Sequence, residues 1–366
     1  MKKYFMSVVF TTMGFFWTYG QQEADSTLTS EEIQFRDSIA AININNALIQ
    51  EIQESYNAGT EAFALSNFKE AITYFESVIV LDSANADAYF NKGLSHKELK
   101  NYEIAISDFE SSFSIDDSYF DAIFNIAKCY ELLNNNEIAL STYDRLLSLE
   151  PNRAEAAYNQ GVLYYLQKDY DNAIKAYSKA LEIDPSYAYA LNDRGSCYRA
   201  LEDYDKAIAD YLEASKNYPQ AFIFNNLASA YRKAGDKDQA IDFYTKAIQS
   251  DANYEMAYNN RGTVYFESEN YDKALKDFKK AIEINSDYAM ALCNRAAIYH
   301  IQEHYTGALA DLERAVKLQP NNATALLNRG ITREMLRNID GACEDWQKAY
   351  QLGIEKGNEY YINNCE

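Results

Sequence analysis

The chain has 366 residues, with 55 acidic against 34 basic side chains and a formal net charge of −21. That balance excludes a nucleic-acid partner, which needs a basic face, and disfavours docking on an anionic membrane surface. Four prolines and thirteen glycines are too few for a disordered chain or a turn-rich β-sandwich.

The first element is a targeting segment. Lys2 and Lys3 precede an uncharged, mostly apolar run from Tyr4 to Tyr19, and Thr18-Tyr19-Gly20 offers a cut before Gln21. Residues 1–20 therefore read as a cleaved secretory signal. The alternative is an uncleaved anchor, although the run is shorter than the ~18–20 apolar residues of a spanning helix. No cysteine lies near the cut, which argues against a lipoprotein. Residues 21–51 read as a polar leader and a capping helix. Thr29-Ser30-Glu31-Glu32 is its start signal, and the helix runs from Ile33 to Gln50. Ile39, Ile42, Ala47 and Ile49 are available to pack on the first of the repeats that begin at residue 52.

From there the chain is periodic. Small residues recur at Gly59, Gly93, Ala127, Gly161, Gly195, Ala228, Gly262, Ala296 and Gly330, every 34 residues but for one spacing of 33. An alanine follows each by twelve residues, from Ala71 to Ala342. Four residues later comes a large apolar side chain: Phe75, Phe109, Tyr143, Tyr177, Tyr211, Tyr244, Phe278, Leu312 and Trp346. Pro151, Pro185, Pro219 and Pro320 each lie twelve residues past that alanine, where a proline stops a helix. Each repeat is thus a pair of helices, A and B. In the seventh, A covers about Glu255–Ser268 and B about Tyr271–Ile284, with Gly262 and Ala274 small because the two helices cross closely. One such hairpin cannot bury its apolar faces alone, so the repeats must stack.

This pattern resembles the tetratricopeptide repeat (TPR), over nine copies in residues 52–356. The resemblance implies an all-α, right-handed superhelical solenoid that binds proteins without catalysis. The tryptophan that the family places four residues before the glycine is replaced here, by Tyr258 in the seventh repeat and Leu292 in the eighth. Beyond the ninth repeat, a last helix at about Glu355–Cys365 should cap the stack; its end is residues 357–366.

The family's helix A lines the concave surface. One inward position reads Asn57, Asn91, Asn125, Asn159, Asp193, Asn226, Asn260, Asn294 and Asn328. A carboxamide donates and accepts, so such a row could grip a peptide backbone. It resembles the asparagine ladder of protein O-linked N-acetylglucosamine transferase. The alternative is that these amides bridge neighbouring helices. One turn earlier the positions change from Gln53, Asp87, Asp121 and Glu155 to Tyr189, Phe222, Met256, Met290 and Thr324. An apolar row in a wet groove suits a neutral or basic partner segment with apolar side chains; packing against the adjacent helix A is the alternative. TPRs that clamp a terminal carboxylate use lysines and an arginine on this surface. Those are absent here, so an acidic C-terminal tail is not an expected ligand.

Of five cysteines, Cys129 and Cys197 share a repeat position two repeats apart, too far for a bond, and read as small buried residues. Cys343 and Cys365 flank Gly353 by ten and twelve residues, on helices expected to pair antiparallel, which brings them level. A disulfide between them is expected; two free thiols are the alternative. The stretch from Ala342 to Trp346, closed by Cys365, also resembles the final repeat of secreted bacterial TPR proteins. His300, Glu303 and His304 spell an H-x-x-E-H zinc pattern, but a turn interrupts it, so two exposed histidines are the better reading. No cofactor is implied and no length remains for a catalytic domain. The expected function is an exported, periplasmic or secreted scaffold that binds a partner's peptide segment. The alternative is a structural subunit of an envelope assembly using its convex face or end caps, and a zinc hydrolase is a remote third.

Overall fold

A computed structural model describes residues 29–365, so the expected signal and the residues as far as 28 lie outside the described part. Every element there is an α-helix. The chain divides into two units, residues 1–151 and 152–366. The first holds α1 (Ser30–Ala64), α2 (Phe68–Leu81), α3 (Ala86–Glu98), α4 (Tyr102–Ile115), α5 (Phe120–Leu132) and α6 (Asn136–Leu149). The second holds α7 (Ala154–Leu166), α8 (Tyr170–Ile183), α9 (Ala188–Ala200), α10 (Tyr204–Asn217), α11 (Ala221–Lys233), α12 (Lys237–Ser250) and α13 (Glu255–Glu267). It continues with α14 (Tyr271–Ile284), α15 (Ala289–Ile301), α16 (Tyr305–Leu318), α17 (Ala323–Met335), α18 (Ile339–Gln351) and α19 (Glu355–Cys365). Each unit is a stack of helical hairpins, the all-α solenoid arrangement.

The capping helix and the first helix A are one element. No glycine or proline occurs between Ser30 and Ala58, so nothing stops the helix at Gln50, and α1 runs for 35 residues. Its start is the expected one: Thr29 Oγ1 accepts from the Glu32 amide, and Glu32 returns a carboxylate to the Thr29 N–H at 2.8 Å. The 14-residue α2 covers only the C-terminal part of α1. Ile39, Ile42, Ala47 and Ile49 therefore stay exposed rather than packing on the first repeat.

The turns explain the scarcity of glycine. One residue between A and B adopts the left-handed conformation, such as Lys168 (φ 62°) or Glu269 (φ 58°). Only Gly235 of the nine A–B turns uses glycine there, so the others accept about 1 kcal/mol of strain. The strain is offset by economy. Asp169 donates its N–H to the Tyr164 carbonyl at 2.9 Å, closing α7, and its side chain caps the Asn172 amide to open α8. Each proline falls one residue past the C-cap of a B helix: Glu150, Asp184, Tyr218 and Gln319.

The repeated glycine has a more specific cause than a close approach of backbones. A Cβ on Gly262 would lie 2.7 Å from Cε1 of Phe278, and one on Gly161 would lie 2.5 Å from the Tyr177 ring. The missing side chain seats the B-helix ring, which is fully buried in repeat after repeat. At the end of the second unit, Trp346 stacks on Tyr360 with centroids 5.2 Å apart, and Cys343 and Cys365 are joined with Cα atoms 5.9 Å apart. Cys129 and Cys197 are fully buried, and burial pushes their thiols up to about 11 and about 12.

Candidate functional site

In the second unit the inward row lies on α7, α9, α11, α13, α15 and α17. Much of it is bonded to itself. Asn226 donates from Nδ2 to Asn192 Oδ1 at 3.0 Å, Asn260 to Asn225 at 3.0 Å, and Asn294 to Asn259 at 2.9 Å. The rule is that a row residue bonds the side chain preceding its counterpart in the previous repeat. Tyr158, in that preceding place, donates its hydroxyl to Asp193 Oδ2 at 2.9 Å. The first unit follows suit where it can: Asn91 donates to the Tyr56 hydroxyl at 2.8 Å. There Asn57 instead accepts from Gln53, and Asn125 from Lys97. Bridging is thus one role of the row. Among the described residues, nothing partners the Oδ1 of Asn226 and Asn294 or the side chains of Asn159 and Asn328.

Asp193 is the one carboxylate in the row. Burial raises its pKa against the opposing bonds from Tyr158 and Asn192. The unfolded chain gives up this proton first, so the cost of charging is present at neutral pH and relieved as pH falls through the raised pKa. Asp193→Asn removes that cost. Its new Nδ2 donates to Tyr158, as Asn91 does to Tyr56. The variant is expected to be the more stable form at pH 7, with its advantage shrinking towards pH 4, read from urea midpoints at both. An advantage that does not change with pH rules this account out.

The apolar row is open to solvent. Tyr189, Met256 and Met290 are 45%, 41% and 52% exposed, and Phe222 is half-buried. Tyr189 stacks on Phe222, with centroids 6.1 Å apart and an interplanar angle of 14°. Neighbouring side chains thus touch, as the packing alternative expects, and an apolar strip remains accessible. The acidic positions are engaged locally. Asp87 accepts from the Tyr119 hydroxyl at 2.8 Å, and Glu155 from Arg153 at 2.9 Å.

The sequence reading missed the charged pairs that hold this face in place. Arg261 grips Asp277 with two bonds of 2.8 and 2.9 Å, and reaches Thr245 on α12 at 2.9 Å. It ties α13 to both α14 and α12. Arg194–Asp210, Arg295–Asp311 and Arg329–Asp345 repeat the bidentate pair, and Lys92–Asp108 is its counterpart in the first unit. All five aspartates are buried. The signal was readable: five repeats carry both partners, and the remaining four carry neither, as in Leu227 with Phe243.

The zinc pattern does not assemble. His300 is on α15 with its ring against Tyr305, whereas His304 precedes α16 with its ring against Tyr299. Among the described residues no three His, Cys, Asp or Glu groups are placed to hold a metal. The expectation of two exposed histidines holds for His304 alone. His300 is half-buried, because α16 folds back over it, and its Nε2 is enclosed without a partner.

These hairpins, with a small residue seating a ring in each and a polar ladder along the A helices, define a helical-repeat protein. Tetratricopeptide repeat models match residues 56–113, 121–153, 154–187, 186–252 and 256–288, and a TPR repeat model matches 297–336. These spans exceed half the chain, which belongs to the tetratricopeptide repeat family. Among solved structures it is similar to the APC/C hetero-tetramer Cut9-Hcn1, at 15% identity and TM-score 0.55, over 86% of this chain and 76% of that one. It is also similar to Pseudomonas aeruginosa pilF, at 20% identity and TM-score 0.52, over 57% and 97%. YrrB, a TPR protein with an unusual peptide-binding site, is 24% identical over 50% and 95%, with TM-score 0.41. At these identities the likeness is one of fold. No curated protein matches the chain.

Proposed function

We propose that the protein is a non-enzymatic interaction scaffold whose second unit holds a peptide segment of a partner on its A helices. The observation that carries this is the exposed apolar strip of Tyr189, Phe222, Met256 and Met290 beside amides that keep an unused acceptor. Asn226 and Asn294 are held by their ladder bonds before any ligand arrives, so little entropy is lost in ordering these amides on binding. The ligand class is an extended or helical segment, neutral or basic, with apolar side chains at alternate or one-turn spacing. A chain of net charge −21 favours the basic end of that class.

The asparagines are poor probes of this reading, since removing them also breaks the ladder. The exposed methionines are better. Met256→Glu with Met290→Glu is expected to weaken binding of apolar-basic peptides from an immobilised 12-residue library at least tenfold, with the melting temperature unchanged. Equal binding by the folded variant sinks the proposal.

We further propose that the chain is exported, in keeping with its disulfide and the signal-like residues 1–20. No helix among the described residues is long and apolar enough to cross a membrane. A mature chain beginning at Gln21, read by mass spectrometry, is the expected result; an intact N-terminus on the isolated protein counts against it.

A further inference from the structure

One pair of positions recurs between neighbouring A helices, and in one place its charges do not match. Arg232 on α11 grips Glu267 on α13, with both Nε and Nη2 donating to the carboxylate. The two residues lie six and seven places past the inward row of their repeats. One repeat later the same places hold Phe266 and Ile301, and two repeats earlier Tyr165 and Ala200, none of them charged. Between α9 and α11 they hold Arg199 and Lys233, two cations. Arg199 is half-buried, yet among the described residues nothing accepts a bond from its guanidinium, and Lys233 is likewise unpaired. None of the Arg199 nitrogens is enclosed, so its donors are open to a ligand. Both side chains line a cavity of about 380 Å³, together with Arg232, Ser196 and Ser229. Glu202, the acid on its wall, is exposed and bonds none of the three cations. Burial raises the pKa of Tyr165 and Tyr211, and Arg199 is the strongest influence opposing it, which sets its charge beside their hydroxyls.

We infer that this cavity is a carboxylate site, at which an acidic side chain of the partner segment lies between Arg199 and Lys233. This rests on the peptide-binding proposal and adds one acidic anchor to an otherwise neutral or basic segment. Glu267 supplies the pattern, a carboxylate accepting two bonds from the guanidinium in the equivalent place of the next repeat. Between α9 and α11 that arrangement is complete except for the anion. A carboxylate offers about four lone-pair positions, enough for the Arg199 fork and the Lys233 ammonium together. On a chain of net charge −21, two cations without a carboxylate attract an acidic group that the rest of the surface repels. The site lies more than a turn beyond the inward row, in which the cations of a terminal-carboxylate clamp are absent. Arg199 is ten residues past Tyr189 on α9, about 15 Å along the helix, so the acidic and apolar contacts are separate features of the segment.

The test needs no partner. The full-length mature protein is titrated at low ionic strength with N-acetyl-glutamate amide and, separately, with N-acetyl-glutamine amide, its neutral counterpart of the same shape. Arginine Nε–H signals are followed by NMR. A saturable shift of Arg199 is expected with the glutamate probe, and binding at least about tenfold weaker with the glutamine probe, since bonds to a charged acceptor are the stronger ones. Lys233→Glu puts a carboxylate on α11 where α13 has Glu267. It is expected to abolish binding of the glutamate probe and to raise the urea midpoint, because Arg199 gains a partner within the chain. Lys348→Glu, on α18, changes the net charge equally and is expected to leave binding unchanged. No saturable shift of Arg199, equal affinity for the two probes, undiminished binding by Lys233→Glu, or an equal loss in Lys348→Glu overturns the inference. Because the probes report on the cavity alone, such a failure leaves the groove proposal to be judged on the Met256 and Met290 variants.

Discussion

Arg261→Leu is expected to destabilise α13 and α14 by about 3–5 kcal/mol. The reason is what it leaves behind. Asp277 is 4% exposed, and in the native protein two charge-assisted bonds from Arg261 replace its lost hydration. With leucine opposite, a buried carboxylate must ionise unpaired or take up a proton. The third bond of Arg261, to Thr245, is lost as well, which loosens α13 from α12. The sixth repeat shows the remedy. There the same two places hold Leu227 and Phe243, both buried. Arg261→Leu combined with Asp277→Phe copies that pair into the seventh repeat and is expected to fall within about 1 kcal/mol of the native protein, since an apolar pair of suitable shape replaces a buried ion pair at little cost. Hydrogen exchange of the α13 and α14 amides reads the effect where it occurs. A single variant as protected as the native protein, or a double variant no better than the single, contradicts this account.

Removing the Cys343–Cys365 bond is expected to cost about 3 kcal/mol at the C-terminal end. The two cysteines are 22 residues apart, and cross-linking a loop of that size takes that much entropy from the unfolded chain. The bond matters because the rest of the hold on α19 is shallow: Tyr360 and Tyr361 pack on the core only partly buried. The helix has a single buried residue, Gly357, where a Cβ would strike the Trp346 carbonyl at 2.6 Å, and its Tyr360 ring covers Trp346. Without the bond the helix frays and that ring leaves. Trp346 is the only tryptophan besides Trp17, which lies in the proposed signal, so its fluorescence isolates the event. Cys343→Ser with Cys365→Ser should show a red-shifted Trp346 emission and a lower urea midpoint for that signal. An unchanged midpoint shows that packing alone retains α19.

Much of this was legible in the residues. A 34-residue period of small, alanine and aromatic positions fixes the helix pairs, because each position has one geometric use in a stacked hairpin. Proline reports the end of every B helix it follows, because it cannot donate the next backbone bond. The two cysteines beside Gly353 could be placed level from helix length alone. What the residues did not disclose concerns side chains whose partner lies in another repeat. Asn260 looked like a groove residue, and its Nδ2 is in fact committed to Asn225, 35 residues away. The adjacent asparagines Asn225-Asn226 and Asn259-Asn260 are the two halves of that ladder: the first of each pair accepts from the next repeat and the second donates to the previous one. The Arg–Asp pairs could have been found by comparing the repeats with one another, since the two positions change together.

The sequence alone determined the repeat, the helices and the acidic, apolar-lined character of this protein, because those depend on local period and composition. Only the tertiary structure decided which amides are occupied, which methionines reach solvent, and which arginines find a carboxylate while Arg199 lines a cavity without one. Those depend on whether a partner atom lies within about 3 Å, a distance that no one-dimensional pattern encodes.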